Sequence, residues 1–273
     1  MLCVVVPCAV LRVELQPLSP VAVDELADSS QAIAARRAGA RMEHRGRPGS
    51  VSATLDCSPQ RAKSSMNRKR VGIVIYEEVE VLDFCGPFEV FSVTRLNEDK
   101  RREEPSPFEA LLVAQESRAV TATGGMQVLP HYTFDDCPHL DQIVVPGGWG
   151  FRNEVKNTVL LDWLRDRASK AETLTAVCTG SMVLGSAGLL DGLNATTHWR
   201  FLDGMRGSFP AVKVRYDKHF VKDGNVLTSA GISAGIDMSL KVVAEQFGEA
   251  VAKATARHME YPYPESDARR IQI

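Results

Sequence analysis

Three short apolar runs constrain this chain more than any other feature. Val71-Gly72-Ile73-Val74-Ile75-Tyr76, Ile143-Val144-Val145 and Thr173-Leu174-Thr175-Ala176-Val177 lack the strict alternation of a half-buried strand. Each therefore reads as a strand covered on both faces. Further strand character lies over residues 108–115, and turn-rich hairpins are expected over 121–134 and 212–228, the second around Asp223-Gly224-Asn225. Helices are expected over 84–96, 153–170 and 179–190, with one long helix over 233–260 closing the chain. Strands that alternate with helices imply parallel βαβ units. The expected fold is α/β: a doubly wound, flavodoxin-like, mostly parallel sheet with helices on both faces. Its functional crevice should lie at the carboxyl ends of the strands.

Where that fold begins is shown by the aromatic residues. None precedes Tyr76, and residues 1–65 carry instead Pro, Ser, Ala and a run of arginines (Arg36, Arg37, Arg41, Arg45, Arg47). Without large side chains to bury, such a segment hardly offsets the entropy of ordering. Its apolar start lacks the basic residues of a signal peptide, and Asp24, Glu25 and Asp28 argue against a transit peptide. Residues 1–65 are expected to be a disordered or mis-started extension, and 66–273 the α/β domain, with Met66 a natural start.

Charge and cysteine usage narrow the function classes. With 32 Lys and Arg against 34 Asp and Glu, the chain has no global field to favour nucleic acid or an anionic membrane. No apolar run approaches the roughly 18 residues that span a bilayer. Six cysteines, at 3, 8, 57, 85, 137 and 178, show no Cys-x-x-Cys pair and no zinc spacing. The expected setting is a reducing cytoplasm, and the expected partner a small molecule.

Among those cysteines Cys178 stands apart. In Ala176-Val177-Cys178-Thr179-Gly180-Ser181 an apolar strand delivers a nucleophilic residue, and small residues follow before a helix begins. That is the layout of a nucleophile elbow, a sharp turn that lifts one side chain above the sheet. The new helix points its amino end at the sulfur, which should favour thiolate and lower the thiol's pKa. Pro146-Gly147-Gly148 ends the neighbouring strand. The N–H groups of Gly147 and Gly148, with that of Thr179, are candidates for an oxyanion hole. Asp83, in Val81-Leu82-Asp83-Phe84-Cys85-Gly86-Pro87, sits at a helix entry. It reads either as an N-cap or as a partly buried carboxyl with a raised pKa that donates a proton. His198 follows Cys178 by 20 residues and is either a base for the thiol or a structural helix-start residue. No phosphate-binding glycine loop, dinucleotide fingerprint or metal spacing is found.

Taken in order, these blocks resemble the ThiJ/PfpI (class I glutamine amidotransferase-like) superfamily, and most closely its isonitrile hydratase branch. The resemblance runs from about Arg70 to Tyr261 and includes Thr197-His198-Trp199-Arg200 and Thr228-Ser229-Ala230-Gly231-Ile232-Ser233-Ala234-Gly235-Ile236-Asp237. It implies a cofactor-independent enzyme, free of metal and homodimeric, that hydrates an isonitrile to an N-substituted formamide. Cys178 would be the nucleophile, Asp83 the acid and Thr179 the third catalytic position, with Gly147, Gly148 and His198 about the substrate. Protease-like members carry His directly after the nucleophile, where this chain has Thr179. Regulators of the superfamily share the later blocks but continue into a helix-turn-helix domain, for which a stop at Ile273 leaves no room. Other cysteine-dependent hydrolases, glyoxalase-like enzymes, or a sensor whose Cys178 is reversibly oxidised, remain alternatives.

Overall fold

The computed structural model describes residues 68–272, so the reading of residues 1–65 lies outside the described residues. From the first described strand the chain runs β1 (Lys69–Val74), α1 (Val81–Val93), β2 (Phe108–Ala114), β3 (Val120–Thr121), β4 (Gln127–Val128), β5 (Tyr132–Thr133) and β6 (Gln142–Val145). It continues α2 (Phe151–Glu154), α3 (Thr158–Ala168), β7 (Thr173–Ala176), α4 (Gly180–Ser186), β8 (Asn194–Ala195), α5 (Leu202–Ser208) and β9 (Lys213–Val214). The last elements are β10 (Phe220–Asp223), β11 (Val226–Ser229), α6 (Ala234–Phe247) and α7 (Glu249–His258).

One sheet has the order β10-β11-β7-β6-β1-β2-β5. Every pairing in it is parallel except the β10–β11 hairpin. From β1 the chain moves outward to β2 and then returns to β6 on the other side, so the switch point lies between β1 and β6. Right-handed crossovers leaving a switch point in opposite directions put their helices on opposite faces. Accordingly α1 packs with α6 and α7, whereas α2 and α3 pack with α4. Both faces being covered explains the uninterrupted apolar strands. Ile73, Ile143 and Leu174 are fully enclosed on neighbouring strands. Burying each such side chain is worth about 1.5–3 kcal/mol, and cutting one back to Ala costs about 2–5 kcal/mol.

Register places the site. Val145, Ala176 and Thr228 lie side by side at the ends of β6, β7 and β11. The residues that follow them (Pro146-Gly147, Val177-Cys178 and Ser229-Ala230) therefore emerge together.

Several elements differ from expectation. α1 begins at Val81, so Asp83 lies inside its first turn rather than before it. The helix expected over 153–170 breaks after Glu154, and Asn157 caps its second half by accepting from the Leu160 N–H at 3.3 Å. The closing helix is interrupted at Gly248, whose φ of 90° halts α6 before α7 restarts. Residues 120–133 form a hairpin and then β5, a parallel edge strand on β2. Lys213–Val214 leaves the second expected hairpin and pairs with β8.

Candidate active site

The chain turns from β7 into α4 through Cys178, whose φ of 57° lies in the left-handed region. For a residue with a Cβ this costs about 1–2 kcal/mol, so the surroundings must hold it. They do: the Cys178 N–H faces the carbonyls of Ser229 and Ala230, both at 3.2 Å. Its carbonyl accepts from the hydroxyls of Ser181 and Thr197, both at 2.9 Å. The turn also passes so close to β6 that a Cβ on Gly180 would lie 1.9 Å from the Val145 carbonyl oxygen. Small residues after the nucleophile are thus a steric requirement.

Five of the expected site residues, Asp83, Gly147, Gly148, Cys178 and Thr179, meet here. Asp83 is completely buried, and its Oδ2 accepts from the Gly147 N–H at 2.9 Å. Its Oδ1 has no hydrogen-bond partner among the described residues, while the carboxyl as a whole interacts with the Cys178 thiol. The N-cap alternative is thereby removed: this carboxyl reaches across the fold, and the capping position belongs to Glu80. Burial, assisted by the nearby Glu80 charge and opposed by the Gly147 N–H, pushes Asp83 up to about 8. Gly147 joins the parts, since its carbonyl accepts from the Glu80 N–H at 2.9 Å. A Cβ there would sit 2.5 Å from Thr179 Oγ1 and 2.9 Å from Asp83 Oδ2. Tyr76, itself buried, fixes the same turn by donating to the Pro146 carbonyl at 2.7 Å.

Two expectations are corrected. Gly147 and Gly148 do not offer free oxyanion donors, because their N–H groups are taken by Asp83 and by Thr179 Oγ1, the latter at 3.1 Å. The donors that face the sulfur are the N–H and hydroxyl of Thr179 and the N–H of Ile232. Nor is the thiol lowered. Burial, followed by the Asp83 charge, pushes Cys178 well above the ordinary thiol value, and those three donors oppose the shift without reversing it. A seven-residue helix is a weak counterweight to a buried anion.

Ile232 is the site residue that sequence reasoning missed as a participant. It follows β11, the parallel neighbour of β7, and also has a left-handed φ, 51°. An isoleucine contributing only its N–H leaves no chemical signature; its place after the strand beside the nucleophile strand is the only available signal.

His198 heads a short 3₁₀ turn, its Nδ1 accepting from the Arg200 N–H at 3.3 Å. Burial, then the charges of Arg200 and Arg269, lowers its pKa and keeps the imidazole neutral. It does not join the Asp83–Cys178 pair; it walls a pocket of about 300 Å³ that opens over Cys178. Trp149, Phe151, Trp199 and Phe201 make the rest of that wall largely aromatic. Arg152 stacks over Trp149 at 4.5 Å and Arg200 over Trp199 at 4.8 Å. Among the described residues no three His, Cys, Asp or Glu side chains gather as a metal set, and no helix is long and apolar enough to cross a membrane.

A doubly wound α/β sheet bearing a cysteine on a strained elbow, with a proton-holding carboxyl against it, defines a class of cysteine-centred proteins. Within that class the chain belongs to the DJ-1/PfpI family, which its residues 69–245 match. It is 37% identical over 200 residues to isonitrile hydratase of Pseudomonas putida, covering 73% of this chain and 82% of that one. It is 33% identical over 160 residues to the HTH-type transcriptional regulator GbdR of Pseudomonas aeruginosa, covering 58% of this chain but only 43% of the regulator. A ThiJ/PfpI family protein from Pseudomonas syringae superposes with a TM-score of 0.63 at 31% identity, covering 79% of this chain and 85% of the other. Drosophila melanogaster DJ-1beta shares the fold, with a TM-score of 0.59 over 72% of this chain at 23% identity.

Proposed function

We propose that the protein hydrates an isonitrile to an N-substituted formamide, with Cys178 as nucleophile, Asp83 as proton carrier and Thr179 as the group that holds the sulfur. The observation that carries this reading is the contact between the elbow thiol and a fully buried carboxyl pushed up to about 8. The 37% identity to an isonitrile hydratase supports the choice of substrate class.

Isonitrile carbon is electrophilic towards sulfur yet becomes basic once attacked, so the reaction needs a nucleophile and a proton at one point. The Cys178 thiol passes its proton to the Asp83 carboxylate as its sulfur bonds to the terminal carbon. Asp83 then delivers that proton to the same carbon, giving a thioimidate, R–N=CH–S. The carboxylate next takes a proton from water, whose oxygen adds to the carbon. Asp83 gives nitrogen the proton it took from water, and the carbon–sulfur bond then breaks as the hydroxyl proton returns to sulfur, releasing R–NH–CHO and the free thiol. The Thr179 and Ile232 N–H groups stabilise the sulfur anion as it enters and leaves. The aromatic pocket takes the N-substituent, and neutral His198 forms part of its wall.

The test is turnover of a simple alkyl isonitrile by the purified full chain, with the formamide identified by NMR. A Cys178→Ala chain should produce none. If instead mild peroxide adds oxygen to Cys178 by intact mass and no isonitrile is consumed, the thiol is a redox sensor and the hydratase reading fails. We also propose a cytoplasmic homodimer; sedimentation of the full chain as a monomer would remove the second part.

A further inference from the structure

A second pocket, of about 210 Å³, lies behind the wall of the first and shares His198, Trp199 and Ile232 with it. Its far side comes from the end of the chain, where Arg269 and Arg270 stand with His219 and Ser233. No acidic residue lines it. Arg269 and Arg270 lie beyond residues 69–245, so the family match does not account for them.

Its charges are incompletely answered. Arg270 donates to Asp237 Oδ1 at 3.1 Å, but Asp237 is wholly buried and also bound by Tyr261 and by His219. Among the described residues the Arg269 guanidinium donates to neutral acceptors alone: the carbonyls of Tyr216 and Thr197, at 2.7 and 3.2 Å, and the Thr196 hydroxyl at 2.8 Å. Its Nη1 is enclosed and has no hydrogen-bond partner among the described residues. The nearest carboxylate acting on it, Asp217, is already bonded to Arg215 at 3.3 Å. The enclosed Arg269 nitrogen does not itself reach a ligand, but the guanidinium leaves a positive charge beside the pocket with no carboxylate bonded to it among the described residues. Arg270, half exposed and with one nitrogen on Asp237, keeps donors that a small oxyanion takes up by charge-assisted hydrogen bonds.

The geometry points to this pocket as a binding site for a small oxyanion, a carboxylate or phosphate group, behind the nucleophile pocket. The occupant can be a carboxylate carried by the substrate or a free anion, the chemistry of recognition being the same. Titrating the full chain with inorganic phosphate at constant ionic strength, while following the histidine imidazole signals by NMR, maps the site without altering the protein. His198 and His219 should shift together and saturate, while His131, His139 and His258, which lie elsewhere, stay in place. Ser233→Trp should abolish the shift. Ser233 makes no side-chain cap bond, so this change fills the pocket without removing a hydrogen bond.

Isocyanoacetate and its methyl ester separate the two sources. A substrate carboxylate in the pocket makes phosphate raise KM for the acid and leave the ester alone. A free anion changes kcat for both. Absence of saturable binding, or equal shifts at all histidines, overturns the site whether or not any isonitrile is turned over. Saturable binding without turnover sustains the site and removes the hydratase reading alone.

Discussion

Asp83 and Asp237 are both fully enclosed, and they illustrate two opposite uses of a buried carboxyl. Asp237, in the first turn of α6, is surrounded by donors: His219 Nε2 at 2.8 Å, Arg270 at 3.1 Å and Tyr261 at 3.2 Å. Asp83, in the first turn of α1, has among the described residues a single backbone N–H and an oxygen without a hydrogen-bond partner, and its neighbour is a thiol. A carboxylate with its lone pairs occupied is an anchor; one left short of donors in a dry site keeps its proton and has somewhere to send it.

That contrast predicts opposite mutant phenotypes, and these are the largest effects expected. Asp83→Asn should lower kcat roughly a hundredfold or more, the scale of general acid–base catalysis. Its melting midpoint at neutral pH should hold or rise. Folded Asp83 binds its proton up to about 8, whereas an unfolded carboxyl releases it near about 4. Stability from this group is therefore full at low pH and lost as pH climbs between those values, and Asn removes the loss. Asp237→Asn should do the reverse, costing about 1–3 kcal/mol by leaving buried donors unmet, while each folded molecule keeps its kcat. Equal destabilisation by both changes would end the distinction.

Next in size is the pH profile. Below about 8 the Asp83–Cys178 pair holds both protons and the thiol has no acceptor for its own. The value of kcat/KM should thus rise with pH through about 8, and that step should vanish in Asp83→Asn. A flat profile in the native protein would sink the shared-proton mechanism.

Alkylation sharpens the same point at smaller scale. The pH midpoint for iodoacetamide at Cys178 should lie above the ordinary thiol value, since burial and the Asp83 charge both oppose the thiolate. Asp83→Asn, which removes that charge, should bring it down. A midpoint already below the ordinary value in the native protein would mean that the elbow helix outweighs burial. Smallest should be His198→Asn. The imidazole walls the pocket and does not touch the pair, so a few-fold change, mainly in KM, is expected in steady-state kinetics.

How much of this was legible depended on whether a residue acts through its side chain. The continuous apolar runs were enough for the parallel sheet, because burial on both faces leaves no polar position to alternate. Cys178 was legible from the turn between an apolar strand and a small-residue helix start, whereas Asp83 read first as a cap, and its acid role and the catalytic place of Thr179 came from the resemblance to the superfamily. The start of α1 was misplaced because Asp83 looks like a capping residue, while Glu80, which precedes the helix, makes no side-chain cap bond that would mark the true start. Gly147 and Gly148 were found for the wrong reason. A glycine N–H looks free in a sequence, and only the fold reveals that a carboxyl and a hydroxyl already hold these two.

The bonds from Arg269 to Thr196 and Thr197 cross more than 70 residues of chain, and Thr197 in turn holds the Cys178 carbonyl. A ribosome makes β1 through β7 and the elbow long before it adds residue 269. The supports of the elbow, Thr197, Ser229 and Ala230, also precede Arg269 in the chain, so the turn at Cys178 has all its own partners before the segment beside it receives its last fastening.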